Sequence, residues 1–175
     1  MNWKPVAAGL LMAGSAAPLV AHATVYLTVA QAQQKMFAGA AMQRVVVGMT
    51  DDQIKALKKA TGIYHPFKAD QVYKVAGGGW FVVDQVLGKH EMITYAVALN
   101  ADGSVKQVEV IEYRETYGGD VRNASWLGQF VGKTAADPFK LNGDVKNISG
   151  ATLSSRHLTD GVKRIVLVRQ WFAHL

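Results

Sequence analysis

Residues 79 to 113 constrain the fold of this chain more than any other stretch, because their apolar residues alternate through three consecutive runs. "GWFVVDQVLGK" (79–89), "EMITYAVALN" (91–100) and "SVKQVEVIEY" (104–113) are rich in β-branched and aromatic residues. Ala101-Asp102-Gly103 joins the last two, a connection short enough only for antiparallel neighbours. The runs therefore predict an antiparallel meander. Period two puts Ile93, Tyr95, Val97 and Leu99 on one face of their strand, and Val108 and Val110 on one face of the next, with Lys106 in line with those two.

Helical spacing frames the meander. Thr28 with Gln31, and Thr50 with Gln53, have the form of capping boxes. The first predicts a helix over 29–38 with Ala32, Met36 and Phe37 on its apolar side. The second predicts a short amphipathic helix that turns Ile54 and Leu57 inward and stops at Gly62. A third helix is expected from Ser155 to about Phe172, following Leu158, Val162, Ile165, Val166 and Phe172. Glycines and Pro138 make residues 116–147 a long loop holding one short helix near 125–131. The fold class expected is α+β, an antiparallel sheet meander packed with helices, the C-terminal one docking on the sheet.

The first 23 residues read differently. Lys4, the apolar stretch from Val6 to Met12 and the small residues of Ala21-His22-Ala23 have the pattern of a secretory signal peptide. That leaves 24–175 as one domain, exported to the periplasm. The alternative is an uncleaved anchor, although the uncharged stretch 6–21 is shorter than a spanning helix needs and contains Gly14, Ser15 and Pro18. There is no cysteine, which excludes thiol chemistry, iron-sulfur ligation and c-type haem attachment and leaves stability to a core drawn from 50% apolar residues. The net charge of +6 is scattered, and its densest cluster, Lys55, Lys58 and Lys59, lies along one solvated helix face. Nucleic acid is not an expected partner.

Most candidate chemistry falls away on spacing. The histidines are mutually isolated, "KHE" (89–91) is a lone pair of possible ligands, and no metal site is expected. No nucleophile motif is present, so no catalytic residue is assigned. "GQFVGKT" (128–134) is one residue too short between its glycines for a phosphate loop, and Gly77-Gly78-Gly79 precedes a strand instead of following one. What remains is "NISGATLSSRH" (147–157), where loop becomes helix. Helix capping explains one hydroxyl, whereas Ser149, Thr152, Ser154 and Ser155 supply four, and Gly150-Ala151 removes side-chain bulk. Either the run is only a cap, or it is a seat for a phosphate at a helix start.

Ser149-Gly150-Ala151-Thr152 resembles the S/T-G-A-T/S flavinylation motif of the FMN-binding domain family, which includes the small flavin subunits of sodium-pumping quinone reductase and of Rnf-type complexes. The likeness extends over "GKHEMITYAVALNADGSVKQVEVIEYRETYGG", "WLGQFVGKT" and "SSRHLTDGVKRIV". Lys146 stands where that family usually has Asp, and "ETYGG" replaces its commoner E-T-P-G-x-G. The resemblance implies FMN esterified through its phosphate to Thr152 by a flavin transferase that uses FAD and Mg²⁺, and membrane or periplasmic redox partners. It implies cofactor contacts from Ser149, Gly150, Ala151, Glu115 and Thr116, to which the hydroxyls of Ser154 and Ser155 in the same run, and Trp126 through its nearness in sequence, are added. Tyr113 and Tyr117 join Trp126 as candidates for an aromatic wall, and Lys146, Lys133 or Arg156 could each steady the phosphodiester by about a kcal/mol. The function implied is electron carriage, with Thr152 an attachment point and no catalyst. A flavin-bearing component of an extracytoplasmic reductase and a flavin-free exported binding domain are the alternatives.

Overall fold

A computed structural model describes residues 24–172, so the expected leader, 1–23, lies outside the described residues. The elements in chain order are β1 (Thr24–Val25), α1 (Val29–Phe37), β2 (Met42–Val45), α2 (Asp51–Thr61), β3 (Val72–Val75), β4 (Trp80–Leu87), β5 (Met92–Leu99), β6 (Val105–Tyr113), α3 (Ala124–Leu127) and α4 (Thr152–Phe172). Both capping boxes form: the Thr28 and Thr50 hydroxyls accept from the N–H of Gln31 and Gln53, whose side chains accept in return. Gly62 ends α2 at φ 68°, a left-handed conformation that costs a glycine little.

The meander is the centre of a six-stranded antiparallel sheet ordered β1-β6-β5-β4-β3-β2. The outer strands β1, β2 and β3 span two to four residues each, too short for alternation to mark them. Gly77-Gly78-Gly79 is the turn of the β3–β4 hairpin, where a Cβ on Gly79 would lie 2.6 Å from the Leu99 carbonyl oxygen.

Helices cover both faces. α1 lays Ala32 and Met36 on Phe81, Val83, Ala96 and Ala98. Helices α2 and α4 and the long loop bury the opposite face, on which Ile93, Tyr95, Val97, Leu99, Val108 and Val110 all lie, as period two predicts. Lys106 does not share that face. Leu99 pairs with Val105 and Ala98 with Gln107, so Lys106 is the extra residue of a bulge. It turns to the α1 side and sets its ammonium 4.2 Å from the centre of the Phe37 ring.

Three contacts fix the height and direction of α4. Gly161 lets the helix approach so closely that a Cβ there would sit 2.5 Å from the Tyr95 hydroxyl and 2.7 Å from Val86. Arg164, 1% exposed, pairs with Asp84, 0% exposed, at 2.5 Å, and Tyr95 donates to the same carboxylate at 3.2 Å. His157 Nδ1 donates to the carbonyl of Leu87, so the first turns of α4 lie over the β4–β5 turn. The helix begins at Thr152, one turn earlier than expected, because Ser155 N–H already bonds to the Ala151 carbonyl. The short helix of the long loop is α3, continued by a 3₁₀ turn at Gly128–Phe130.

Candidate functional site

A cleft of about 550 Å³ opens where three segments meet: the β4–β5 turn, the stretch that follows β6, and the start of α4. Its size falls within the ~300–1,000 Å³ of small-molecule and cofactor sites.

The first wall is held by Glu115. Its carboxylate accepts from the backbone N–H groups of His90 and Glu91, tying the stretch after β6 to the β4–β5 turn. Burial pushes this carboxyl up, but the backbone donors of His90, Glu91 and Lys89 outweigh it and hold the group below its ordinary 4.5. Gly88 makes the contact possible, since a Cβ there would lie 2.6 Å from the Glu115 carboxylate.

Tyr113 is buried behind the lining and braces it. Burial raises its phenol above the ordinary value, so it stays protonated and donates to the carbonyl of Tyr117. Its oxygen lies 3.2 Å from Ser154 Oγ. Because the phenol hydrogen is already committed to a carbonyl, which can only accept, Ser154 is the donor in that pair.

The third wall is the start of α4. Ala151 precedes the first helical residue and has no side-chain acceptor, so no hydroxyl occupies the capping position. The N–H groups of the first turn have no partner within the helix, and the positive end of its dipole faces the cleft side. Thr152 is exposed, and its oxygen accepts from Asn147 Nδ2 at 3.2 Å.

Glu115, Thr116, Gly150, Ala151, Thr152 and Ser154 all line the cleft, together with Tyr117. Ser149 is exposed and adjoins Gly150 outside the lining. Ser155 and Trp126 are elsewhere. Ser155 is fully buried and donates back to the Ala151 carbonyl at 2.9 Å, because one step along a helix turns a side chain by about 100° and carries it from the cleft side into the core. Trp126 packs edge-on against Phe130, and its indole N–H donates to the Lys146 carbonyl at 2.7 Å; it anchors the motif from beneath instead of walling the cleft. Among the candidate cations, Lys133 is committed to Asp144 at 2.7 Å, while Lys146 and Arg156 are exposed. Sequence reasoning missed Lys89 and His90 as lining residues and Asn147 as the partner of Thr152. Only the strand pairing brings residues 89 and 90 to the motif, and spacing gives no sign of it.

Comparison with known proteins identifies the domain that carries this cleft. Residues 88–166 match the FMN-binding domain model. The C subunit of the sodium-translocating NADH-quinone reductase of Vibrio anguillarum is 30% identical over 137 residues, which is 75% of this chain and 52% of that subunit. This chain carries an FMN-binding domain. It spans about half the length of the relative it matches.

An FMN-binding domain must offer room for a flat apolar ring and a seat for a phosphate, and the residues present suit both. Gly150 adopts φ +81°, and a Cβ added to it would meet no protein atom within 4 Å, so a side chain there would stand in open space beside the helix start. Tyr117 and Leu153, 84% and 42% exposed, supply uncovered apolar surface at the rim. Among the described residues no cluster of His, Cys, Asp or Glu could hold a metal ion, and no helix is long and apolar enough to cross a membrane.

Proposed function

We propose that this protein is an exported electron carrier whose FMN is joined covalently, by a phosphoester, to Thr152. One observation carries the reading: the hydroxyl hydrogens around the cleft are unequally committed. Ser154 donates to Tyr113 and Ser155 donates to the Ala151 carbonyl. Thr152 receives a hydrogen bond from Asn147 and keeps its own hydrogen, and it is exposed. Of the hydroxyls on the first turn of α4, Thr152 alone is both accessible and free to give up its proton.

The modification balances without redox change. The Thr152 O–H bond and the pyrophosphate P–O bond of FAD break, the Thr152 Oγ–P bond forms, and AMP leaves with the proton passing to the medium. A flavin transferase with FAD and Mg²⁺ is the partner this requires. The product is a phosphodiester with one negative charge, suited to the positive end of α4 and to Arg156, one turn further along. Lys146 flanks the same motif.

Bound FMN would supply acceptor chemistry for one or two electrons. The chain's part is to hold, shape and shield: Glu115 fixes one wall, Tyr113 braces Ser154 from behind the lining, and Thr152 is the tether, which prevents loss of cofactor outside the cytoplasm. The likeness to a subunit of a quinone reductase supports membrane redox partners, and the leader-like residues 1–23 support export.

The test is intact mass after production with and without a flavin transferase. A mass increase equal to esterified FMN, yellow colour that survives denaturation, and loss of both in Thr152→Ala are expected. No adduct on the native chain, or an adduct that persists in Thr152→Ala, refutes the attachment.

A further inference from the structure

We infer that Asn147 is a positioning residue for Thr152, holding its hydroxyl in the orientation from which the phosphoester forms; the inference rests on the attachment proposed above. Two other hydroxyls of α4, Ser155 and Thr159, donate back to the carbonyl four residues earlier, at 2.9 and 2.7 Å. That is the ordinary resting place of a helical Ser or Thr side chain. Thr152 departs from it: its oxygen is held at 3.2 Å by the side-chain amide of Asn147.

The amide is itself held from behind. Lys146, the residue before it, donates its N–H to Gln129 Oε1 at 2.8 Å and accepts from the Trp126 indole at 2.7 Å. After it, the Ile148 carbonyl accepts from Ala151 N–H at 3.1 Å, and the Ile148 side chain packs against the main core. Core packing thus sets where the Asn147 side chain can reach.

A second observation separates this role from simple packing. Asn147 Oδ1 is buried and has no hydrogen-bond partner. A buried unpaired acceptor is destabilising, and an apolar side chain of the same shape would remove it. The one bond the amide makes is to the hydroxyl singled out for modification. By donating to one lone pair of Thr152 Oγ1, Asn147 leaves the other lone pair and the O–H free on the exposed side. As a neutral donor it neither removes the proton nor repels the incoming phosphate.

The experiment uses the full chain, flavin transferase, FAD and Mg²⁺, with adduct formation followed by intact mass at varied chain concentration. Asn147→Ala is expected to lower kcat tenfold or more, with KM within twofold and the thermal midpoint no lower than the native one. Asn147→Asp, ionised at neutral pH and then only an acceptor, should be equally slow, and its rate relative to the native chain should recover as pH falls and the carboxyl regains a hydrogen to donate. Native kcat in Asn147→Ala, a loss confined to KM, a loss that tracks a lower midpoint, or an Asn147→Asp chain that matches the native one at every pH would each overturn the inference. Thr152→Ala keeps the two readings apart. An adduct there sinks the attachment itself, whereas its absence alongside a native-like Asn147→Ala sinks only the positioning role.

Discussion

Gly161→Ala tests whether the seat of α4 on the sheet positions the cleft. In an isolated helix the change stabilises by about 1 kcal/mol, since glycine is the poorer helix former. Here the new methyl would lie 2.5 Å from the Tyr95 hydroxyl, 2.8 Å from the ring carbon that bears it, and 2.7 Å from Val86. Ordinary contact begins near 3.4 Å, so the helix and sheet must part by most of an ångström or Tyr95 must move. Overpacking of that kind costs about 1–3 kcal/mol. If Tyr95 moves, its bond to Asp84 is lost beside a buried ion pair, for roughly 1 kcal/mol more. After the helix gain is subtracted, about 1–3 kcal/mol of destabilisation remains. At ~2–4 °C per kcal/mol for a domain of this size, the midpoint should fall by about 2–12 °C in thermal unfolding followed by circular dichroism. Tyr95→Phe should rescue part of that loss when the two changes are combined, since it removes the atom closest to the new methyl; contacting residues are expected to be non-additive in this way. A Gly161→Ala chain as stable as the native one, or strictly additive behaviour with Tyr95→Phe, would refute the close-approach argument.

Other consequences are as direct. Gly150→Val puts a β-branched side chain into the open space of the cleft at a positive φ, where an L residue loses about 1–2 kcal/mol; flavin uptake measured by absorbance should fall at least tenfold while the far-ultraviolet spectrum stays native. Glu115 is held below its ordinary carboxyl value by backbone donors, so its contribution is complete above that ordinary value, neutral pH included, and is lost as pH falls through the lower folded value. The amide resonances of His90 and Glu91 should report that transition, and it should be absent in Glu115→Gln. Trp126→Phe removes the indole bond to the Lys146 carbonyl while keeping the aromatic packing, so it should cost about 1 kcal/mol in chemical denaturation and slow adduct formation without touching the cleft lining. Asp84→Ala leaves Arg164 buried and unpaired, a loss of about 3–5 kcal/mol in the same measurement.

What the chain reveals before folding, and what it withholds, follows from how each feature is encoded. The capping boxes at Thr28 and Thr50 are local, three residues across, and both form as written. The three long strands announce themselves because the face under α2 and α4 takes the large residues of β5 and β6, from Ile93 and Tyr95 to Val108 and Val110, while the face under α1 takes smaller ones such as Ala96 and Ala98. Lys106 misled because period two assumes an unbroken ladder, and the bulge at residues 105–107 depends on pairing with Leu99 and Ala98, which no run of one strand records. The site divides in the same way. Gly150, Ala151, Thr152 and Ser154 are contiguous and were legible as a motif; Glu115 and Thr116 were reached through resemblance. Ser155 and Trp126 were assigned from nearness in sequence, and each was drawn into the core by a demand that sequence nearness does not express, a buried helix face for one and an indole N–H needing an acceptor for the other. Asn147 shows the limit most clearly. It stands five residues before Thr152, a spacing with no meaning on a helix that has not yet begun; only the turn at Gly150 folds the amide back onto the hydroxyl. Under the proposed attachment, the residues that set Thr152 apart from Ser154 and Ser155 are therefore ordinary in composition, and the difference lies in which hydrogens the fold has already committed.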